Sequence, residues 1–235
     1  MKILIYTAVW KRPEITEICF MSIKRLQKVP GFKVSGFAVI SEPEMIPLCE
    51  KYGIDWCLTA NHPLGAKKNH GIKQALFKND FEYLIEVGSD DLLKNEILTT
   101  YKWDAAVLGL MDFAIINTAN GACKRIQTNI PKYGAGRAVK RFVLESCELW
   151  NNKISRGMDN NSSLHLAQNG FMPHGVKTDS PLVVALKSEM NLWSYTMIGG
   201  SKYPLDDALN GLSEEEINAI RCLVTKNKSA DLIGA

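Results

Sequence analysis

Two adjacent carboxylates, Asp90 and Asp91, follow the short run Tyr83-Leu84-Ile85-Glu86-Val87-Gly88-Ser89. Like charges side by side repel, so chain folding alone does not ask for them. Two uses suit them. Ser89 or Asp90 starts a helix as its N-cap, or the pair holds a hard divalent cation, which takes carboxylate oxygens and bridges them to phosphates. Three further stretches carry reactive residue types: Thr7-Ala8-Val9-Trp10-Lys11-Arg12-Pro13, Ser41-Glu42, and Gly65-Ala66-Lys67-Lys68-Asn69-His70-Gly71. Lys67 and Lys68 fall at a helix start, where the helix dipole disfavours cations. Either solvent or a bound anion relieves that, and helix starts favour phosphate.

These stretches are positioned by an alternating pattern. Residues 2–9 read as a strand, and Pro13 opens a helix that carries Ile15, Ile18, Cys19, Ser22 and Leu26 at helical spacing up to Pro30-Gly31. Residues 34–40 form a second strand, Ser41-Glu42-Pro43 starts a helix that stops at Gly53, and residues 54–59 form a third strand. A helix over 66–78 and the apolar run from Tyr83 complete a β-α-β-α-β-α-β series. Such alternation predicts a parallel sheet with helices on both faces. In a sheet of that kind ligands bind beyond the carboxyl ends of the strands. All four reactive stretches fall at such ends.

The second half reads as mixed. A helix over 94–103 is followed by strands over 105–110, 112–118 and 122–128, the last two a hairpin across Ala119-Asn120-Gly121. A glycine-rich turn, Gly134-Ala135-Gly136-Arg137, precedes a helix over 138–147; Asp159 caps a helix ending at Asn169-Gly170; residues 181–187 form a strand. Ser213 and Glu216 form a capping box for a last amphipathic helix, and residues 226–235 read as a flexible tail. The 235 residues suit a single domain, with residues 1–103 as one half and 104–225 as the other.

Composition narrows the class. The chain is 46% hydrophobic and 23% charged, which is that of a soluble globular protein. A net charge of +3 is too small and dispersed to point to nucleic acid. No apolar run approaches the ~20 residues that span a membrane. The six cysteines are widely and irregularly spaced, which suits core residues in a reducing cytoplasm rather than a zinc ribbon or disulfide frame.

The ordered set of strand-end residues resembles the inverting family 2 glycosyltransferases with the GT-A fold. The resemblance covers roughly residues 1–100. It rests on Thr7, Arg12 and Pro13 after the first strand, Glu42 after the second, Gly65, Lys68, Asn69 and Gly71 leading the third helix, and Ser89-Asp90-Asp91 as the metal motif. Lys68 replaces the arginine usual in the family, and Gly88 stands where many members carry the first aspartate. The resemblance implies a three-layer α/β/α sandwich with a mostly parallel sheet. It also implies a cytoplasmic transferase that moves a sugar from a UDP- or GDP-sugar to a glycan or other acceptor hydroxyl, with Mg2+ or Mn2+.

In these terms Thr7, Ala8, Arg12, Glu42, Lys68, Asn69, Asp90 and Arg137 contact the nucleotide sugar. Asp90 and Asp91 hold the metal, joined by His174. Asp159, in Arg156-Gly157-Met158-Asp159-Asn160, is the base that deprotonates the acceptor. Trp10 is the tryptophan most placed to stack on a base or sugar; Trp103, Trp150 and Trp193 read as core. A nucleotidyltransferase on a related sheet is the alternative, set back by the lack of a glycine-rich loop after the first strand. A nucleotide-sugar-binding protein without turnover is the other.

Overall fold

A computed structural model describes residues 1–188 and 195–233; Trp193 lies outside them. In chain order the elements are β1 (Lys2–Ala8), α1 (Pro13–Leu26), β2 (Lys33–Ile40), α2 (Ile46–Tyr52), β3 (Ile54–Leu58), α3 (Leu64–Lys78) and β4 (Tyr83–Gly88). Then come β5 (Asp91–Leu93), α4 (Glu96–Thr100), β6 (Val107–Leu110), β7 (Asp112–Asn117), β8 (Cys123–Gln127) and β9 (Ala138–Lys140). The rest are α5 (Arg141–Ser146), α6 (Met158–Gln168), β10 (His174–Val176), β11 (Val183–Lys187), β12 (Ser201–Lys202), α7 (Leu205–Leu209) and α8 (Glu214–Ile233).

Seven strands form the main sheet, in the order β10-β6-β9-β4-β1-β2-β3. Every neighbouring pair is parallel except the two that β9 makes, so only β9 is reversed. Side chains alternate across it as a strand requires. Ile3 and Ile5 point to the face covered by α1 and α2, where Phe20, Ile23 and Cys49 pack. Leu4 and Tyr6 point to the other face, onto Ile72 of α3, Val143 of α5 and Leu166 of α6. The result is the expected three-layer α/β/α sandwich with a mostly parallel central sheet. A second sheet, β12-β8-β7-β11-β5, packs against Ile15 and Ile18 of α1 and Ile220 of α8.

Two expectations change, each because a non-local partner overrides local pattern. The helix expected over 94–103 is the shorter α4, preceded by β5, which pairs antiparallel with β11 some ninety residues on. The helix expected over 138–147 begins only at Arg141, because Ala138 and Val139 are fully buried in the strand that fills the gap between β4 and β6. The last helix, α8, runs through Ile233. The β7–β8 hairpin forms as expected, with Ile116 opposite Cys123.

The capping box also forms. Glu216 Oε2 accepts the Ser213 backbone N–H at 2.6 Å, and the Ser213 hydroxyl accepts the Glu216 N–H at 3.3 Å. Glu216 is fully buried and is held by Arg25 Nε at 2.9 Å from Oε2, which ties α8 to α1. Glu216→Ala is therefore expected to destabilise the chain by about 3–5 kcal/mol, because it leaves a largely buried guanidinium without its counter-charge. Urea unfolding measures this.

Candidate active site

The four strand-end stretches meet at one edge of the sheet, because β1 to β4 run parallel. Beyond this edge lies a cavity of about 720 Å3, whose polar wall includes Lys68, Glu86, Asp91, Asp159 and Lys187. Its opposite wall is apolar, with Phe113, Ile115, Ile126 and Tyr133 from the second sheet and the turn before β9.

Gly88, Ser89, Asp90 and Asp91 do not start a helix. The chain passes directly from β4 into β5, and the Asp91 Oδ2 accepts the Gly88 N–H at 2.7 Å. A Cβ at Gly88 would stand 2.7 Å from both Asp90 Oδ1 and Asp91 Oδ2, closer than packed atoms allow. The two carboxylates thus converge on the space a side chain would occupy. A side chain at position 88 would clash with both carboxylates, so their arrangement requires glycine there. Burial first, and then the Asp90 charge, push the Asp91 carboxyl up to about 6. Two converging hard oxygens suit Mg2+ or Mn2+ by donor type. Among the described residues, no group of three or more His, Cys, Asp or Glu side chains is arranged to hold a metal ion.

Cations hold the outer carboxylate. Lys187 Nζ lies 2.8 Å from Asp90 Oδ2, and Arg12 Nη1 approaches the same oxygen at 3.6 Å. Arg12 also donates to the Ser89 hydroxyl at 3.3 Å. Lys11 and Arg12 both sit in the left-handed region, at φ 54° and 55°, although neither is glycine. Such a conformation costs of order 1 kcal/mol or more per residue and persists where the surroundings impose it. Here it turns Arg12 back onto the aspartates before Pro13 begins α1.

A second cluster lies deeper. Glu86 is buried in the middle of β4; its Oε1 pairs with Lys68 Nζ, and Arg137 Nη1 lies 3.8 Å from its Oε2. The Lys68 ammonium also sits 4.2 Å from the centre of the Trp150 ring. Asp159 faces Glu86 across Gly134. A Cβ there would meet Asp159 Oδ1 at 2.8 Å and both Glu86 oxygens at 3.0 Å. Asp159 is not the helix cap: Gly157, at φ 65°, takes that position, so the Asp159 side chain is turned to the cavity. Burial, and then the Glu86 charge, push the Asp159 carboxyl above its ordinary value, while Lys68 and Arg137 partly offset this.

The remaining candidates are placed otherwise. Arg137 is fully buried rather than on a loop over the cavity, and it donates to Ser162 and, at 3.1 Å, to Ser163 of α6. Asn69 holds the loop before α6, donating to the Trp150 carbonyl at 2.6 Å and to Asn152 at 2.9 Å. Thr7 is fully buried inside β1, and its neighbour Ala8 pairs with Gly88 of β4. Glu42 accepts the Lys11 N–H at 3.3 Å. Beside it Lys67 is buried on the Val9 carbonyl, the Ser41 hydroxyl and Asn61, and burial lowers its pKa to about 8.

Trp10 is exposed next to His62, whereas Trp150 is fully buried and Trp103 packs on Tyr83 and Tyr101. His174 opens β10, three strands from β4 and at the amino end of its strand. Three strand spacings are roughly 14 Å, so the structure does not bring His174 to the aspartates.

Glu86 and Lys187 carry the geometry and were not among the sequence candidates. Each has a signal in the sequence, a lone charge inside or ending an otherwise apolar strand. A Gly88→Ala change is expected to push Asp90 and Asp91 apart. It should cost about 1–3 kcal/mol of stability and abolish any thermal shift produced by a nucleoside diphosphate with Mn2+.

The sequence matches no protein-family model and no curated protein. Solved structures do match in shape. Staphylococcus aureus TarS residues 1–349, a GT-A glycosyltransferase, superposes with a TM-score of 0.56 at 13% identity, over 79% of this chain and 60% of that one. In that match the chain spans 60% of the fragment's length. The same fragment in complex with UDP-GlcNAc matches over 97% of this chain and 73% of its own, at TM-score 0.55 and 16% identity. The inositol-1-phosphate CTP transferase of T. maritima matches at TM-score 0.52 and 12% identity, over 90% of this chain and 97% of its own. With its reversed β9 and its mostly parallel seven-stranded sheet, the chain has a GT-A-like α/β/α fold.

Proposed function

We propose that the chain is a glycosyltransferase that moves a sugar from a nucleotide-diphosphate sugar, a UDP- or GDP-sugar, to an acceptor hydroxyl with inversion. One observation carries this reading: Asp159, a carboxylate with a raised pKa, faces the same cavity as the Asp91 carboxylate and the cations Lys68 and Lys187. A base at one end and a diphosphate-binding end at the other are what a single displacement needs.

Asp159 accepts the proton of the acceptor hydroxyl as that oxygen attacks the anomeric carbon. The bond from the anomeric carbon to the diphosphate oxygen breaks, and the nucleoside diphosphate leaves with the electron pair. Asp90 and Asp91 are the residues that would hold Mg2+ or Mn2+, which when bound neutralises the leaving diphosphate. Lys68 pairs with Glu86 and adds positive charge to the cavity wall. Glu86 in turn raises the proton affinity of Asp159 and makes it a stronger base. The apolar wall of Phe113, Ile115 and Tyr133 excludes water from the reacting atoms and offers a surface to the carbon face of a sugar. Nucleotidyl transfer, the other reaction considered, would release pyrophosphate from a nucleoside triphosphate instead.

Incubation with UDP- and GDP-sugars and Mn2+, followed by assay of released nucleoside diphosphate, tests the reaction class. Release of pyrophosphate from a triphosphate, or release of nothing, would reject it. Asp159→Asn is expected to keep donor binding by calorimetry while turnover falls about a hundredfold or more. The base must be ionised to work, so kcat/KM should fall as pH drops through the raised Asp159 pKa. Lys68→Met removes a charge that lowers that pKa, so it should move the acid limb to higher pH.

A further inference from the structure

Lys187 has only a supporting part in the proposed transfer, yet the fold places it with care. It ends β11, whose antiparallel register with β5 sets Ala185 opposite Asp91. The Leu186 N–H donates to the Asp90 carbonyl at 2.7 Å, so the next residue is held beside the carboxylate pair. The Lys187 ammonium lies 2.8 Å from Asp90 Oδ2 and lines the cavity. Burial works against its charge, and Asp90 and Asp91 more than offset that. Arg12 reaches the same oxygen from the other side, at 3.6 Å.

A divalent cation between Asp90 Oδ1 and Asp91 Oδ2 would sit on the same carboxylate whose other oxygen, Oδ2, Lys187 holds. An ammonium and a divalent ion a few ångströms apart in a partly buried site repel strongly, because little solvent screens them. The two cannot share Asp90 at close range. An ammonium on a flexible four-carbon stem can turn away, and a diphosphate bound at the same carboxylates would meet it in the cavity.

We propose that Lys187 and a divalent cation compete for Asp90, and that the cation entering with the nucleotide hands the ammonium from Asp90 to the diphosphate. The inference rests on the donor and cation chemistry proposed above. Lys187 then makes the two ligands depend on each other: it weakens binding of the cation alone and strengthens binding of the diphosphate once the cation is in place.

Calorimetric titration of the full chain with MnCl2, alone and with UDP, GDP or CDP, tests this in the wild type and in Lys187→Met. Without nucleotide, Mn2+ should bind the variant about tenfold more tightly. With Mn2+ saturating, the diphosphate should bind the variant about tenfold more weakly. Lys187→Gln, which keeps a polar head without the charge, replaces the first variant if that one does not fold. In the wild-type protein, Mn2+ alone should raise acetylation of Lys187 by acetic anhydride, read by mass spectrometry, and Mn2+ with diphosphate should lower it.

Unchanged or weaker Mn2+ affinity in a folded variant, or Lys187 acetylation indifferent to Mn2+, overturns the exchange and leaves the proposed reaction standing. Failure of every form to bind Mn2+ with any diphosphate rejects the cation assignment, and the exchange with it.

Discussion

Glu86 is a buried carboxylate in the middle of the central strand β4, and much of the site is arranged around it. A carboxylate in that position costs several kcal/mol unless it is paired. Its partners come from two other segments: Lys68 from α3, and Arg137 from the turn before β9. Arg137 is in turn bonded to Ser162 and Ser163 of α6, the helix that carries Asp159. A single buried charge therefore ties β4, α3, the glycine turn and α6 together. The same links hold Asp159 opposite Glu86, with the width of Gly134 between them.

A second charge cluster forms around Asp90, with Arg12 and Lys187 as its cations. It is built differently. Its backbone carries two consecutive left-handed residues, and Gly88 leaves room for two carboxylates where one side chain would normally stand. Strain and repelling charge gathered at one end of a cavity have no benefit for folding and are characteristic of functional sites. The cavity joins both clusters, with Asp91 and Lys187 of one and Lys68, Glu86 and Asp159 of the other in its wall.

Much of the first half was legible because its signals are local. Helical spacing from Ile15 to Leu26 and the apolar runs of β1, β2 and β4 each span a whole element, and a parallel series brings strand ends together without further information. The pieces that were misread are short and owe their form to distant partners. β5 and β9 have three residues each and exist only because β11, β4 and β6 receive them. His174 looked available in a loop, and the sheet sets it at the far edge.

The sequence by itself determined the alternating architecture and the four polar stretches at the strand ends, because periodicity and breakers are properties of neighbouring residues. Only the tertiary structure decided which charges meet. Lys67 and Lys68 are adjacent, yet successive helical residues point about 100° apart. One is therefore buried against Val9, Ser41 and Asn61, and the other against Glu86. Asn69, alike in type to a ligand-binding residue, is used to hold a loop. Pairing of buried charges is set by distance and desolvation in three dimensions, and residue order carries neither.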